Sequence, residues 1–198
     1  MKILVFSDLH MARARAAEIV AASEGADLVI GAGDYCNMRE GLDEAMAMLS
    51  GIETPLVLVP GNAESAFELR QAAPEGVITL HGQGMTFDGL RLFGLGSAVP
   101  PPPFGDWSCN LSEIEANERL SRCDRCDILI SHSPPKGTAD RTSQGISVGS
   151  TAVRDAIERL RPRLVLCGHI HDSWGARGKI GASQVANLGP TVNWFEIR

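Results

Sequence analysis

The stretch Ile3-Leu4-Val5-Phe6-Ser7-Asp8-Leu9-His10 decides the fold. Four consecutive apolar residues without polar alternation read as a β-strand buried on both faces. An aspartate and a histidine follow directly at its carboxyl end. The same arrangement recurs along the 198 residues: Leu28-Val29-Ile30 runs into Gly31-Ala32-Gly33-Asp34, and residues 55–59 into Pro60-Gly61-Asn62. Residues 127–131 lead to His132, and Leu164-Val165-Leu166-Cys167 to Gly168-His169-Ile170-His171. Of the five histidines only His81 lies outside these blocks.

Helical patterns separate the strands. Residues 13–23 place Ala16, Ile19 and Val20 on one face, and residues 42–49 do the same with Leu42, Ala45, Met46 and Leu49. A short helix is expected over 65–72 and a strand over 77–80. Residues 85–87 and 90–93 read as a hairpin about Asp88-Gly89. Pro100 to Pro103 must be extended, because consecutive prolines fit neither helix nor central strand. Ser112 with Glu115 forms a capping-box pattern for a helix to Leu120, and Ser150 can cap a helix from Thr151 to Leu160 that Pro162 stops. The tail, residues 179–198, holds short strand-like pieces separated by Gly181 and Gly189-Pro190. Strand and helix alternate early and again late, with hairpins between. This predicts an α/β fold with a mixed sheet or two stacked sheets, in one domain over residues 1–198.

Composition narrows the function classes. The chain is 44% hydrophobic and 21% charged with net charge −6, an ordinary globular balance. No stripe of Lys and Arg forms, which disfavours nucleic acid as a partner. Five cysteines without a regular framework argue for a reducing compartment. Asp8 interrupts the first apolar run before a signal-peptide core would be complete, and no segment suits a bilayer. A cytoplasmic protein with no membrane partner is the expectation. The oligomeric state is not readable.

Imidazole and carboxylate together bind borderline divalent metals. The candidate ligands are Asp8, His10, Asp34, Asn62, His132, His169 and His171. Seven are too many for one tetrahedral ion but suit two ions sharing a carboxylate, with Asp34 as the natural bridge. In open α/β folds such sites gather beyond the carboxyl ends of the strands. His169 and His171, two apart, would point the same way on an extended segment; on a turn they would serve different ions.

Five ordered blocks carry a resemblance: Asp8-x-His10, Gly33-Asp34, Gly61-Asn62-Ala63-Glu64, His132 and Gly168-His169-x-His171. In this order the chain resembles the calcineurin-like metallophosphoesterase family. The resemblance implies a four-layer α-β-β-α sandwich of two mixed sheets flanked by helices, with a dinuclear metal centre. It implies Asp8, His10, Asp34 and His171 around one ion, and Asp34, Asn62, His132 and His169 around the other. Asp34, Asn62, His132 and His10 would then be catalytic. A hydroxide bridging ions roughly 3.5–4 Å apart would attack phosphorus in line. The chain departs from the family at Ala63, where a histidine usually contacts phosphate and protonates the leaving oxygen.

The resulting expectation is a phosphoesterase hydrolysing small-molecule phosphodiesters, with weaker action on monoesters and a bias to acidic leaving groups. The donor set of nitrogen and oxygen without thiolate suits manganese, and also Fe, Zn, Ni or Co, but is poor for calcium. Rival readings are a catalytically weakened metal-binding scaffold for protein interaction on the same fold and a small nuclease. Cys123-x-x-Cys126 lacks partners for a zinc site, and Cys36 reads as buried filler. Glu64 is read as an acid in a helix's first turn. Asn37 and Arg39 are assigned to a solvated helix N-terminus, and Arg13 and Arg15 to an exposed helix face. The segment from Pro100 to Trp107 is either a substrate-facing lid, with Phe104 and Trp107 for stacking, or a stiff surface crossover.

Overall fold

A computed structural model describes residues 1–197; the end of the predicted tail, Arg198, lies outside the described residues. Among the described residues, eleven strands and five helices alternate much as the pattern predicts. The first half contains β1 (Lys2–Phe6), α1 (Arg13–Ser23), β2 (Leu28–Gly31), α2 (Leu42–Leu49), β3 (Leu56–Leu58), α3 (Ala66–Ala72) and β4 (Ile78–Thr79). The hairpin β5 (Gln83–Phe87) and β6 (Leu90–Leu95) follows, then α4 (Glu113–Leu120), β7 (Ile128–Ser131), α5 (Thr151–Leu160) and β8 (Leu164–Cys167). A single 3₁₀ turn, His171–Ser173, precedes β9 (Arg177–Ile180), β10 (Ser183–Asn187) and β11 (Asn193–Glu196). None of the described helices is long and apolar enough to cross a membrane.

The strands form two mixed sheets. One has the order β11-β1-β2-β3-β4 and the other β5-β6-β7-β8-β10-β9. Within the first, β1 to β4 run parallel and β11 closes the edge antiparallel to β1, pairing Lys2 with Glu196. Within the second, β6, β7, β8 and β10 are parallel, with β5 and β9 as antiparallel edges.

Strand period explains the layers, since successive side chains point to opposite faces. Ile3, Val5, Leu28 and Ile30 face inward and meet Ile128, Ile130, Leu164 and Leu166 of the other sheet. Leu4, Phe6, Val29 and Leu58 face outward, under Ile19, Met46 and Leu49 of α1 and α2. On the far side Leu129, Val165 and Val185 pack against Ala116 and Leu120 of α4 and Val153 and Ile157 of α5. The result is helix, sheet, sheet, helix. Each parallel strand that carries the site is buried on both faces, which is why its sequence shows no polar alternation.

Local chemistry fixes the ends of elements. Ser65 and Ser112 each accept from the third helical N–H while Glu68 and Glu115 return to the capping residue's own N–H. Ser150 accepts from Val153 N–H. The turn at Asp88 and Gly89 has φ of 44° and 80°, the double left-handed form that a two-residue hairpin favours. Cys123 and Cys126 are buried in the layer beneath α4 and α5, as free thiols.

Candidate metal centre

All five blocks meet at one edge of the sandwich, where the carboxyl ends of β1, β2 and β3 face those of β7 and β8. Close approach there demands glycine. A Cβ on Gly61 would strike the carboxylate and backbone of Asp34, and one on Gly168 would strike Asp8 and Ser7. The backbone is also locally forced: Asp8, His10, Met11, Asp34 and His169 have φ between 43° and 67°. Non-glycine residues seldom adopt this left-handed region, at about 1–3 kcal/mol each. Backbone bonds between the loops after β1 and β2 hold them there: Asp8 N to Gly33 O at 2.8 Å, His10 N to Asp34 O at 3.0 Å and Met11 N to Tyr35 O at 3.1 Å.

Two donor groups result. Ligand atoms of Asp8, His10 and His171 lie within 4.8 Å of one another, as do those of Asp34, His132 and His169. Asp34 stands between them: its Oδ2 is 3.5 Å from His10 Nε2 and 3.4 Å from His132 Nε2. Its Oδ1 accepts the backbone N–H groups of Asn62 and Ala63, both at 2.8 Å, so the carboxylate cannot swing away. Asn62 Oδ1 is 3.1 Å from His132 Nε2. His169 and His171 take the turn alternative. The left-handed residue 169 and the 3₁₀ turn at 171 send the first ring toward His132, with centroids 5.0 Å apart, and the second toward His10, at 5.1 Å. All seven sequence candidates are thus brought together.

The surroundings set the ring tautomers. His132 Nδ1 meets the carbonyl of Ala32 at 2.8 Å and His10 Nδ1 that of Cys36 at 3.1 Å. Each Nδ1 therefore donates, and each Nε2 points at Asp34, where the neutral ring offers its lone pair to a cation. His10 Nε2 and His171 Nε2 face each other at 3.3 Å, an arrangement that a cation between them satisfies.

Electrostatics point the same way. Burial would raise Asp34, but His132 and His10 outweigh it and hold the carboxyl well below its usual range. Burial opposes a charged His132, yet Asp34 and then Asp8 lift it to about 9. A positive charge is thus favoured beside Asp34. His169 is driven by burial and by His132 down to about 3, leaving a free lone pair. The residues present fit two metal ions on chemical grounds: nitrogen and oxygen donors, fixed tautomers and a central anionic bridge.

Several supporting residues are not visible in the sequence pattern. Trp174 Nε1 donates to Asp8 Oδ2 at 3.0 Å and Ser7 Oγ donates to the same oxygen at 2.5 Å, while Asp8 Oδ1 accepts His169 N–H at 2.9 Å. Asn187 Nδ2 donates to the carbonyls of Gly168 and Ile170, bracing the turn that carries both histidines.

Glu64 corrects the sequence reading. It precedes the capping residue Ser65 and so lies outside the helix. Its fully buried carboxylate accepts from Gly61 N at 2.6 Å, Asp34 N at 2.9 Å and Tyr35 N at 3.1 Å. It clamps the loops after β2 and β3. Burial first, then Asp34, push it up to about 7, against the pull of those N–H groups. Cys36 is buried as the sequence reading expects, and its thiol donates to Ala63 O at 3.1 Å and sits 3.5 Å from Glu64. Asn37 and Arg39 are not at a helix N-terminus, because α2 starts at Leu42. Asn37 Oδ1 is 3.1 Å from His10 Nδ1, and Arg39 pairs with Glu68. Arg13 and Arg15 pair with Glu44 and Glu18 on an exposed face.

A cleft of about 370 Å³ opens over the donor groups, lined by His10, Asp34, Asn62, His169 and His171 together with Phe104, Trp107, Thr142, Ile170 and Asp172. Of residues 100–107, Phe104 and Trp107 line this cleft. Phe104 stacks on Trp107, centroids 5.6 Å apart, and stands edge-on to His169 at 6.3 Å.

A family described as calcineurin-like phosphoesterase matches residues 1–173. Metallophosphoesterase domain-containing protein 1 of Homo sapiens is 30% identical over 144 residues, 71% of this chain and 42% of that protein. The chain thus spans less than half the length of the curated relatives it matches. Among solved structures, TT1561 of Thermus thermophilus superposes with a TM-score of 0.76 at 19% identity, covering 100% of this chain and 99% of that one. A dimetal phosphatase from Danio rerio gives 0.61 at 15%, covering 96% and 88%. At these identities the likeness is one of fold.

Proposed function

Because this chain belongs to the calcineurin-like phosphoesterase family, we propose that it is a dinuclear metal-dependent hydrolase of small-molecule phosphodiesters, weaker on monoesters. The observation that carries this reading is the position of Asp34 Oδ2, between His10 Nε2 at 3.5 Å and His132 Nε2 at 3.4 Å. Asp8, His10, Asp34 and His171 would hold one ion, and Asp34, Asn62, His132 and His169 the other. Two such ions supply Lewis acidity toward phosphate oxygens and make water acidic enough to ionise near neutral pH. Manganese is our choice of metal, with Fe, Zn, Ni or Co as substitutes of the same donor preference.

The protein's own residues fix the geometry. The carbonyls of Ala32 and Cys36 hold the imidazoles of His132 and His10 with Nε2 directed inward. Two backbone N–H groups anchor Asp34, so the site is organised before substrate arrives. Phe104 and Trp107 line one side of the cleft.

Leaving-group protonation is the weak step. Ala63 is buried, its N–H committed to Asp34 Oδ1, and the cleft lining includes neither Lys nor Arg. General acid help is typically worth roughly 10²–10⁴-fold. Rates should therefore fall steeply as leaving-group pKa rises across a series of aryl diesters, and the slope should flatten in Ala63→His. A flat series in the parent protein would refute the proposed role of position 63. The broader reading is tested by metal analysis, followed by turnover of a bis-aryl diester and an aryl monoester after Mn²⁺ is added to apoprotein. Metal binding without turnover of either ester would favour the scaffold. The chain's net charge of −6 and a cleft lining without Lys or Arg weigh against a nuclease.

A further inference from the structure

A second cleft, of about 470 Å³, adjoins the first and shares Phe104, Thr142, His169 and Ile170 with it. Its outer wall is Pro100 to Pro103, and Val148 lines it as well. We propose that this cleft is the specificity pocket for an aromatic group carried on the phosphoester; the proposal rests on the phosphoesterase reading of the neighbouring centre.

The lining of the cleft carries it. Proline has no N–H, so the wall offers no backbone donor to a polar ester group such as a sugar. The one ammonium in the lining, Lys136 Nζ, directs one of its three N–H groups to Ser147 O at 2.6 Å. Phe104 is 52% exposed at the junction of the two clefts, an arrangement that leaves a large apolar surface facing solvent until something covers it. Its ring is held by Trp107 on one side and abuts His169 on the other, so a group seated against it lies next to one of the candidate metal ligands. Four consecutive prolines with preset φ also make the wall stiff, so little ordering is lost on binding. Aromatic rings suit such a wall because they gain from area contact and need no hydrogen bond.

The test uses the full chain loaded with Mn²⁺ and uncleavable probes, methylphosphonate and phenylphosphonate. Affinities come from calorimetry and from the fluorescence change of Trp107 and its neighbours. The phenyl compound should bind roughly tenfold or more tightly than the methyl compound, as burial of one ring implies. Val148→Trp fills the cleft and Phe104→Ala removes its inner wall. Each should cut the phenyl-to-methyl ratio to about twofold or less, the ring having lost its apolar burial. Phe104→Ala alters an exposed side chain, so the test does not depend on Val148→Trp folding. A ratio near one in the parent, with methylphosphonate bound, overturns the pocket and leaves the phosphoesterase reading standing. A high ratio undiminished in both variants overturns it too. If the loaded protein binds neither phosphonate, the reading of the metal centre fails and the pocket with it.

Discussion

Trp174 shows how one side chain tunes the centre without belonging to the donor set. Its indole N–H donates to Asp8 Oδ2 at 3.0 Å. Trp174→Phe keeps an aromatic ring and removes that bond, so metal affinity or activity should fall by about 10–100-fold while the thermal midpoint of the apoprotein stays nearly constant. Metal titration monitored by calorimetry checks this. His81 supplies a separate pH dependence, away from the donors. Its Nδ1 accepts Gly96 N–H at 3.1 Å, and burial, with Arg119 and Arg70, lowers it to about 4 from the usual 6.5. The unfolded chain then binds a proton that the folded chain refuses, so stability is lost as pH falls from 6.5 toward 4. At about 1.4 kcal/mol per pKa unit the loss amounts to roughly 2–3 kcal/mol. His81→Gln removes that contribution. Urea midpoints of parent and variant across roughly pH 4.5 to 7 should separate toward the acid end, the parent falling more steeply, and parallel curves would refute the assignment. At this scale the sequence was legible where chemistry follows directly on a strand, as with Asp8, His10 and His132. Trp174, Asn187 and Glu64 were not, because their partners lie in other loops that only folding brings near.

Elements tell a similar story about range. The helices α4 and α5 could be read to their caps, since Ser112, Glu115 and Ser150 act within three residues. The pairings of β10 with β8 and β11 with β1 could not be read. They depend on register between segments far apart in the chain, Lys2 with Glu196 for example, and the tail pattern gave only strand-like pieces. The loops after β2 and β3 depend on Glu64 in the same long-range way. Glu64→Gln retains one acceptor oxygen and turns the other into a donor facing an N–H. About one pH unit above its value of about 7, the parent carboxylate is ionised and accepts from all three amides. The variant should lose about 1–3 kcal/mol of stability, the cost of an unsatisfied buried donor. Denaturant unfolding at that pH measures it, and an unchanged midpoint would mean the clamp contributes nothing.

At the scale of the whole molecule, the donors come from both sheets: Asp8, Asp34 and Asn62 follow β1, β2 and β3, whereas His132 and His169 follow β7 and β8. An ion held by the proposed ligands would therefore fasten the two sheets together at their common edge. Chelation should lower the melting temperature in proportion to the binding free energy lost. It should also increase amide exchange in the loops of both sheets at once. Exchange rising in only one sheet's loops would contradict shared ligation. The division has a further consequence in time. During synthesis, Asp8, His10, Asp34 and Asn62 emerge first, but every proposed ion also needs an imidazole from His132, His169 or His171. An early, half-built site holds mostly oxygen donors and grips a transition metal weakly. On the proposed ligation the choice of metal would fall late, after residue 171 has left the ribosome, and would be made by the ion pool met from then on.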